Sequence, residues 1–224
     1  MTSREPQPMS QGSRAKPTAV PKPRVTRKRG YHHPDLRRAL LDAAIRTLID
    51  DDVSAVTMQR LARLAGVSAA APYHHFGDLE ILLAELATEG WLQWAERAAI
   101  ALGTHADAHA QLLAMADAWL TFTSERPAHY KVMLLPQLGD RERFATMHDA
   151  SGRSLVLLFE VIGRALPGEA RGDLAARVVL IWSALHGFTI LRAGGILDNV
   201  PPIPASSAVA PEVLRRLIVS VLAE

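Results

Sequence analysis

Apolar side chains along the chain fall at helical spacing. Leu36, Leu40, Ala43, Ala44, Thr47 and Leu48 occupy positions i, i+4, i+7, i+8, i+11 and i+12, one stripe of a helix that begins near Pro34. Asp50-Asp51-Asp52 ends it, because like charges crowd its carbonyl end. Thr57 opens a second, short helix carrying Leu61, Ala62 and Ala65, and Gly66 stops it, since glycine adopts positive φ without penalty. Ser68 is placed to cap a third short helix that runs to about His75. Gly77-Asp78 breaks the chain again. Asp78 and Glu80 then put negative charge at the start of a fourth helix, which carries Leu82, Leu83, Leu86, Trp91 and Trp94 to near Gly103.

Further helices are expected at about 107–125, 127–134, 140–147, 150–166, 170–193 and 209–223, punctuated by Pro127, Pro136, Gly139, Pro167-Gly168, Gly194-Gly195 and Pro201-Pro202. No stretch alternates with period two over a useful length. The pattern therefore predicts an all-α chain of about nine to ten helices. Residues 1–30 hold five prolines and predict a disordered arm. Residues 31–78 form a small three-helix unit, and 79–224 a larger helical one.

Composition narrows the function. The hydrophobic fraction of 49% is enough for a buried core, and aromatics at 5% with abundant Ala and Leu favour helices. There is no cysteine, which excludes disulfides, thiolate metal sites and Cys nucleophiles. No apolar run approaches the roughly 18 residues of a membrane span, and no secretory signal opens the chain, so a cytoplasmic protein is expected. The net charge of +2 hides an asymmetry: residues 1–30 carry eight basic groups against one acid, a balance of +7, while the other 17 basic and 22 acidic residues leave −5. A basic arm on a mildly acidic body is a footprint of polyanion binding, although a solvated tail has the same composition.

The informative segment is Thr57 to Phe76. Two short helices meet at Gly66; Ala62 lets them cross closely, and Leu61 and Val67 plug the angle between them. Such a pair leaves its second helix free to enter a major groove. Leu61-Ala62-x-x-Ala65-Gly66-Val67-Ser68, then Tyr73-x-His75-Phe76, then Leu82-Leu83 resemble the TetR family of regulators over roughly residues 34–88. The resemblance implies that the first three helices bind DNA, that Ser68 begins the recognition helix, that Tyr73 and His75 hold phosphates, and that Phe76 locks that helix to the first. Physical reasoning is consistent with these roles. Tyr73 and His75 can donate to phosphate oxygens, with His74 beside them as a further candidate. Thr57 sits at a helix N-terminus suited to an anion. Ala69 and Ala70 offer methyls to thymine but no hydrogen-bond readout, so base specificity leans on Gln59, Arg60 and the arm, whose Arg27, Lys28 and Arg29 are expected in the flanking minor groove or along the backbone. Leu79 stands where the family usually has a phosphate-contacting lysine.

Farther on, Trp182-Ser-Ala-Leu-His186-Gly187 and Arg126-Pro-Ala-His-Tyr130-Lys-Val-Met133 resemble a Trp-His-Gly class of TetR-like C-terminal domain. That resemblance implies a homodimer built on helices 150–166 and 170–193. Leu155, Val156, Leu158, Phe159, Ile162, Val178, Val179, Ile181, Trp182 and Leu185 give these helices broad apolar faces, which suit an intersubunit four-helix bundle or burial within one subunit. Trp91, Trp94, Trp119, Phe122, Met133, Phe144, Met147, Trp182 and His186 are candidate linings of a pocket for a small, largely apolar effector, with ordinary core packing as the rival reading. His105 and His109 have i, i+4 spacing, but they fall at a helix junction and no metal site is assigned there. No phosphate loop, nucleophile elbow or zinc-protease motif appears, so no cofactor and no catalysis are expected. The leading reading is a repressor released from a palindromic DNA operator by its effector. A ligand-independent DNA-binding dimer or an activator is the alternative, and an enzyme the remote one.

Overall fold

The computed structural model describes residues 35–223, and among them there are nine α-helices and no strand. The first, α1 (Leu36–Asp50), starts where the Asp35 side chain accepts from Arg38 N at 2.9 Å and buries the expected stripe, Leu40, Ala43, Ala44, Thr47 and Leu48. Helix α2 (Met58–Leu64) is capped by the Thr57 side chain, which accepts from Arg60 N at 3.2 Å. At its far end Gly66 has φ +70°, Val67 N donates to Ala62 O at 3.0 Å and Gly66 N to Arg63 O at 3.2 Å. These paired bonds satisfy the last carbonyls of α2 and turn the chain sharply.

Helix α3 (Ala71–Phe76) departs from expectation at its start. The Ser68 side chain does not cap it; a backbone turn, Ala71 N to Ser68 O at 3.0 Å, precedes the helix instead. Pro72 explains the shift, because its fixed φ and missing N–H fit the first helical turn. Phe76 is buried, and the Arg37 guanidinium lies 4.5 Å from its ring centroid while donating to His75 O at 2.8 Å, which ties the end of α3 to α1. Gly77, at φ +75°, then reverses the chain into α4 (Leu79–Gly103), capped by Asp78 accepting from Ile81 N at 2.9 Å.

Helix α4 is the 25-residue spine of the structure. Packed on it are α5 (Ala108–Glu125), α6 (Pro127–Met133) and α7 (Ala145–Ala165). Gly90 permits the closest approach: a Cβ there would sit 2.8 Å from Met133 Sδ and 3.1 Å from His129 Cβ. The expected helices at 140–147 and 150–166 are one. Asp140 closes a turn by accepting from Glu142 N and Arg143 N, and α7 then runs unbroken from Ala145 with Met147, Ala150, Ser154 and Leu158 on one buried face. Its polar stretch does not end the helix because the Ser151 and Ser154 hydroxyls donate back to carbonyls three residues earlier.

Helix α8 (Arg171–Ala193) is long and apolar enough to span a membrane by length and composition, although Ser183, His186 and Thr189 interrupt its apolar residues. Only Val178, Ile181 and Thr189 on it are buried, and Val179, Leu180, Ile190 and Leu191 are exposed. The last helix, α9 (Ser206–Leu222), covers the far side of α5 and α8. Of the residues expected to form a broad face on α7 and α8, Leu158, Ile162, Val178 and Ile181 belong to the core, and Val156, Val179 and Trp182 remain at the surface.

Candidate DNA-contacting face and effector cavity

Helices α2 and α3 present most of the sequence-derived candidates on the surface. Thr57, Gln59, Ser68, Ala69, Ala70, Tyr73, His74 and His75 are all exposed. Thr57, Gln59, Arg60 and Ala69 border one cleft formed by α2 and the turn that follows it. Arg60 is less free than its sequence position suggests, because its guanidinium pairs with Asp51 Oδ2 at 2.6 Å. Arg63, which the sequence reading passed over, is exposed on the same cleft. Its i+4 spacing from Gln59 was the available signal. Leu79, at the first turn of α4, is partly buried against the core. Arg27, Lys28 and Arg29 lie outside the described residues.

A cavity of about 280 Å³ opens between α4, α5, α7 and α8. Trp91, Trp94, Trp119, Met133, Met147, Trp182 and His186 line it, so the sequence reading placed seven candidates around one space. Two others are elsewhere. Phe122 is fully buried behind the wall, its ring centroid 5.9 Å from Trp94 and 6.1 Å from Trp119. Phe144 faces an outer cleft beside Arg143 and Thr146. Missing from the sequence reading were Met115, His148, Ser151 and Ser154, which also line the cavity. The serines carried no signal before α7 was known to be continuous.

The polar groups in this wall are mostly paired. His186 Nε2 accepts from Trp182 Nε1–H. The ring proton of the neutral imidazole then sits on Nδ1, 3.3 Å from Tyr130 Oη. Burial pushes the His186 pKa down to about 4 and the Tyr130 pKa up to about 12. Trp119 packs 4.6 Å from the His186 ring centroid and donates to Thr189 Oγ1 at 3.0 Å.

One segment of the cavity wall reaches α1, and a second reaches the start of α4 just after the α3 turn. From α6, which contributes Met133, Lys131 Nζ donates to Leu48 O at 2.6 Å and Asp51 O at 3.1 Å, where a cation suits the carbonyl end of α1. The stretch 134–147, which supplies Leu135, Leu138 and Met147, carries Arg143, whose guanidinium pairs with Asp78 Oδ2 at 2.7 Å and with Glu80. Asp78 caps α4 immediately after the α3 turn. Between these grips, Glu89 of α4 accepts from Arg38 of α1 at 2.8 Å and stands 3.7 Å from His129 of α6. His129 first and Arg38 next hold the Glu89 carboxyl below the usual carboxylate range.

Two short helices joined by a glycine turn, set beneath a larger helical body that encloses an apolar cavity, define the architecture of a helix-turn-helix transcription regulator. Residues 40–86 match the family described as bacterial regulatory proteins, tetR family, and residues 112–217 the tetracyclin repressor-like C-terminal domain. The chain is similar to the HTH-type transcriptional regulator BetI of Cronobacter sakazakii, at 32% identity over 170 residues, 69% of this chain and 82% of that protein. It is also similar to BetI of Rhizobium meliloti, at 52% identity over 50 residues, 22% of this chain; the match spans only 25% of that relative's length. The TetR family transcriptional regulator PfmR of Thermus thermophilus shares the fold, with a TM-score of 0.60 at 22% identity over 82% of this chain and 96% of that one. The chain belongs to the TetR family of bacterial regulators.

Proposed function

We propose that this protein is a dimeric repressor that leaves a palindromic DNA operator when a small, largely apolar molecule fills the cavity between α4, α5, α7 and α8. Among the described residues, 35–78 form the DNA-binding head. Thr57, Gln59, Arg63, Tyr73 and His75 supply its contacts, and α4 to α9 form the sensing and dimerising body. The observation that carries the reading is the linkage of the cavity wall to the head through Lys131 at α1, with Arg143 bracing the α3–α4 junction at Asp78 and Glu80. A guest that moves α6 or the 134–147 stretch must strain or break these grips. The effector therefore binds the released arrangement more tightly, and operator and effector oppose each other reciprocally.

Dimerisation is assigned to α7 and α8. Val156, Val179, Leu180, Ile190 and Leu191 are exposed there, and a soluble body leaves so long an apolar face bare only when it has a partner. Two-fold pairing sets two copies of α3 about one DNA turn, roughly 34–36 Å, apart. The reading is of a cytoplasmic sensor rather than an enzyme, because the family to which the chain belongs is one of DNA-binding regulators. Selection of bound fragments from a random duplex pool tests it. A pseudo-palindrome with half-sites one turn apart is the expected result; a single asymmetric site, or no enrichment, would overturn it.

A further inference from the structure

The cavity is closed on one side and open on the other. Trp91, Trp94, Trp119 and Met133, from α4, α5 and α6, form a buried floor. Towards α7, α8 and the 134–139 stretch the lining residues come to the surface. Leu134 and Trp182 are each 38% exposed, and Leu155 and Leu185 are half-buried. A ligand site generally covers most of its guest, about 70–90% of the guest's surface. A mouth with this rim leaves apolar wall and apolar guest facing water, so one subunit makes an incomplete site.

Helix α8 carries the rim into a bare apolar face. Val179, Trp182, His186 and Ile190 recur at i, i+3, i+7 and i+11, one stripe of the helix. Val179 and Ile190, 53% and 54% exposed, flank the two cavity residues between them. Between Arg177 and Arg192 the helix holds no Asp, Glu, Lys or Arg. The face offers no ion pair to a charged partner, and two copies of it meet about a two-fold axis without like-charge repulsion. Its centre is also small, with Ser183 and Gly187 one turn apart. A Cβ at Gly187 would meet nothing within 4 Å of its own chain. Packing inside the subunit does not call for glycine there, whereas close approach of a second helix does.

We infer that the effector site is completed by a second copy of this chain, whose α8 lies across the mouth beside Trp182, so that a guest is enclosed by two subunits. This rests on the effector and dimer readings above. Trp182 is the residue common to both surfaces: it lines the cavity and stands on the exposed stripe. Filling the cavity and pairing the subunits are then linked, and each strengthens the other.

The test uses the full-length protein, with its oligomeric state followed by sedimentation. Hydroxyl-radical footprinting of the wild-type dimer needs no variant to fold. Trp182 should be oxidised within about twofold of the rate of Trp119, which is 3% exposed in the single subunit. Gly187→Glu and Val179→Glu each place a charge on the face outside the cavity and should give monomers. In those monomers Trp182 oxidation should rise about fivefold or more while Trp119 holds, an internal check that the subunit stays folded. Because the chain has no cysteine, Ser151→Cys supplies a single thiol in the cavity wall. Its labelling by methyl methanethiosulfonate should be about tenfold slower in the dimer than in the Gly187→Glu background. A wild-type dimer with Trp182 oxidised much faster than Trp119, or equal Cys labelling in dimer and monomer, would overturn this inference and leave the effector and operator readings intact. Dimers persisting in both Glu variants would overturn it together with the assignment of dimerisation to this face. A monomeric wild type would overturn the dimeric repressor as well.

Discussion

Substituting His186→Gln exchanges a titrating ring for a neutral amide that can still accept from Trp182 and donate towards Tyr130. In the folded protein burial holds the His186 pKa to about 4, against 6.5 for an exposed imidazole. Above pH 6.5 the ring is neutral in both folded and unfolded states and stability does not respond to it. As pH falls below that, the unfolded chain takes up a proton that the folded chain refuses. Unfolding free energy then drops by up to about 1.4 kcal/mol per pH unit, levelling off below the folded pKa. Across the interval from 6.5 to about 4 this amounts to about 3 kcal/mol. The rings packed against His186, those of Trp119, Tyr130 and Trp182, are uncharged in this range and cannot offset the cost. Urea unfolding of the wild type and of H186Q at a series of pH values between 7 and 4 isolates the residue, because other titrating groups are common to both. The wild type should lose about 3 kcal/mol more than the variant over the series. Parallel pH profiles would refute the reasoning, since they would mean that the ring is charged, or solvated, in the folded state.

Three other outcomes follow from the same geometry. Arg143→Ala should leave binding of a small apolar cavity ligand within about twofold of wild type, yet bring the ratio of operator affinities with and without that ligand towards one, read by fluorescence anisotropy; an unchanged ratio would remove Arg143 from the linkage. Phe122→Ala deletes a fully buried ring and should cost about 3–5 kcal/mol in urea unfolding, whereas a cost under 1 kcal/mol would place it outside the core. Arg63→Ala should weaken operator binding evenly across sequences and flatten the salt dependence by about one charge, and a sequence-selective loss would make Arg63 a base reader.

Much of this protein was legible before any coordinates. The i, i+4, i+7 stripes of α1 and α4, the caps at Thr57 and Asp78, and the stops at Gly66 and Gly77 are decided within a few residues of the chain. Local backbone energetics and one-sided burial suffice to place them. The surface candidates on α2 and α3 were visible for the same reason: a short amphipathic helix with one face in the core must expose the other.

What the sequence could not decide is what depends on several helices meeting. Periodicity marks Trp94, Trp119, Phe122 and Phe144 alike as apolar. Only packing sorts them into cavity wall, supporting layer and outer cleft, because that sorting is set by how α4, α5 and α7 are arranged and not by any residue's own preference. The same holds for Arg60 held by Asp51, for Lys131 on the carbonyls of α1 and for Arg143 on Asp78. Each is one more surface cation in the sequence and a specific link in the fold. Short-range forces thus write the helices into the chain directly, whereas the cavity and its grip on the head exist only where segments up to about 83 residues apart come together.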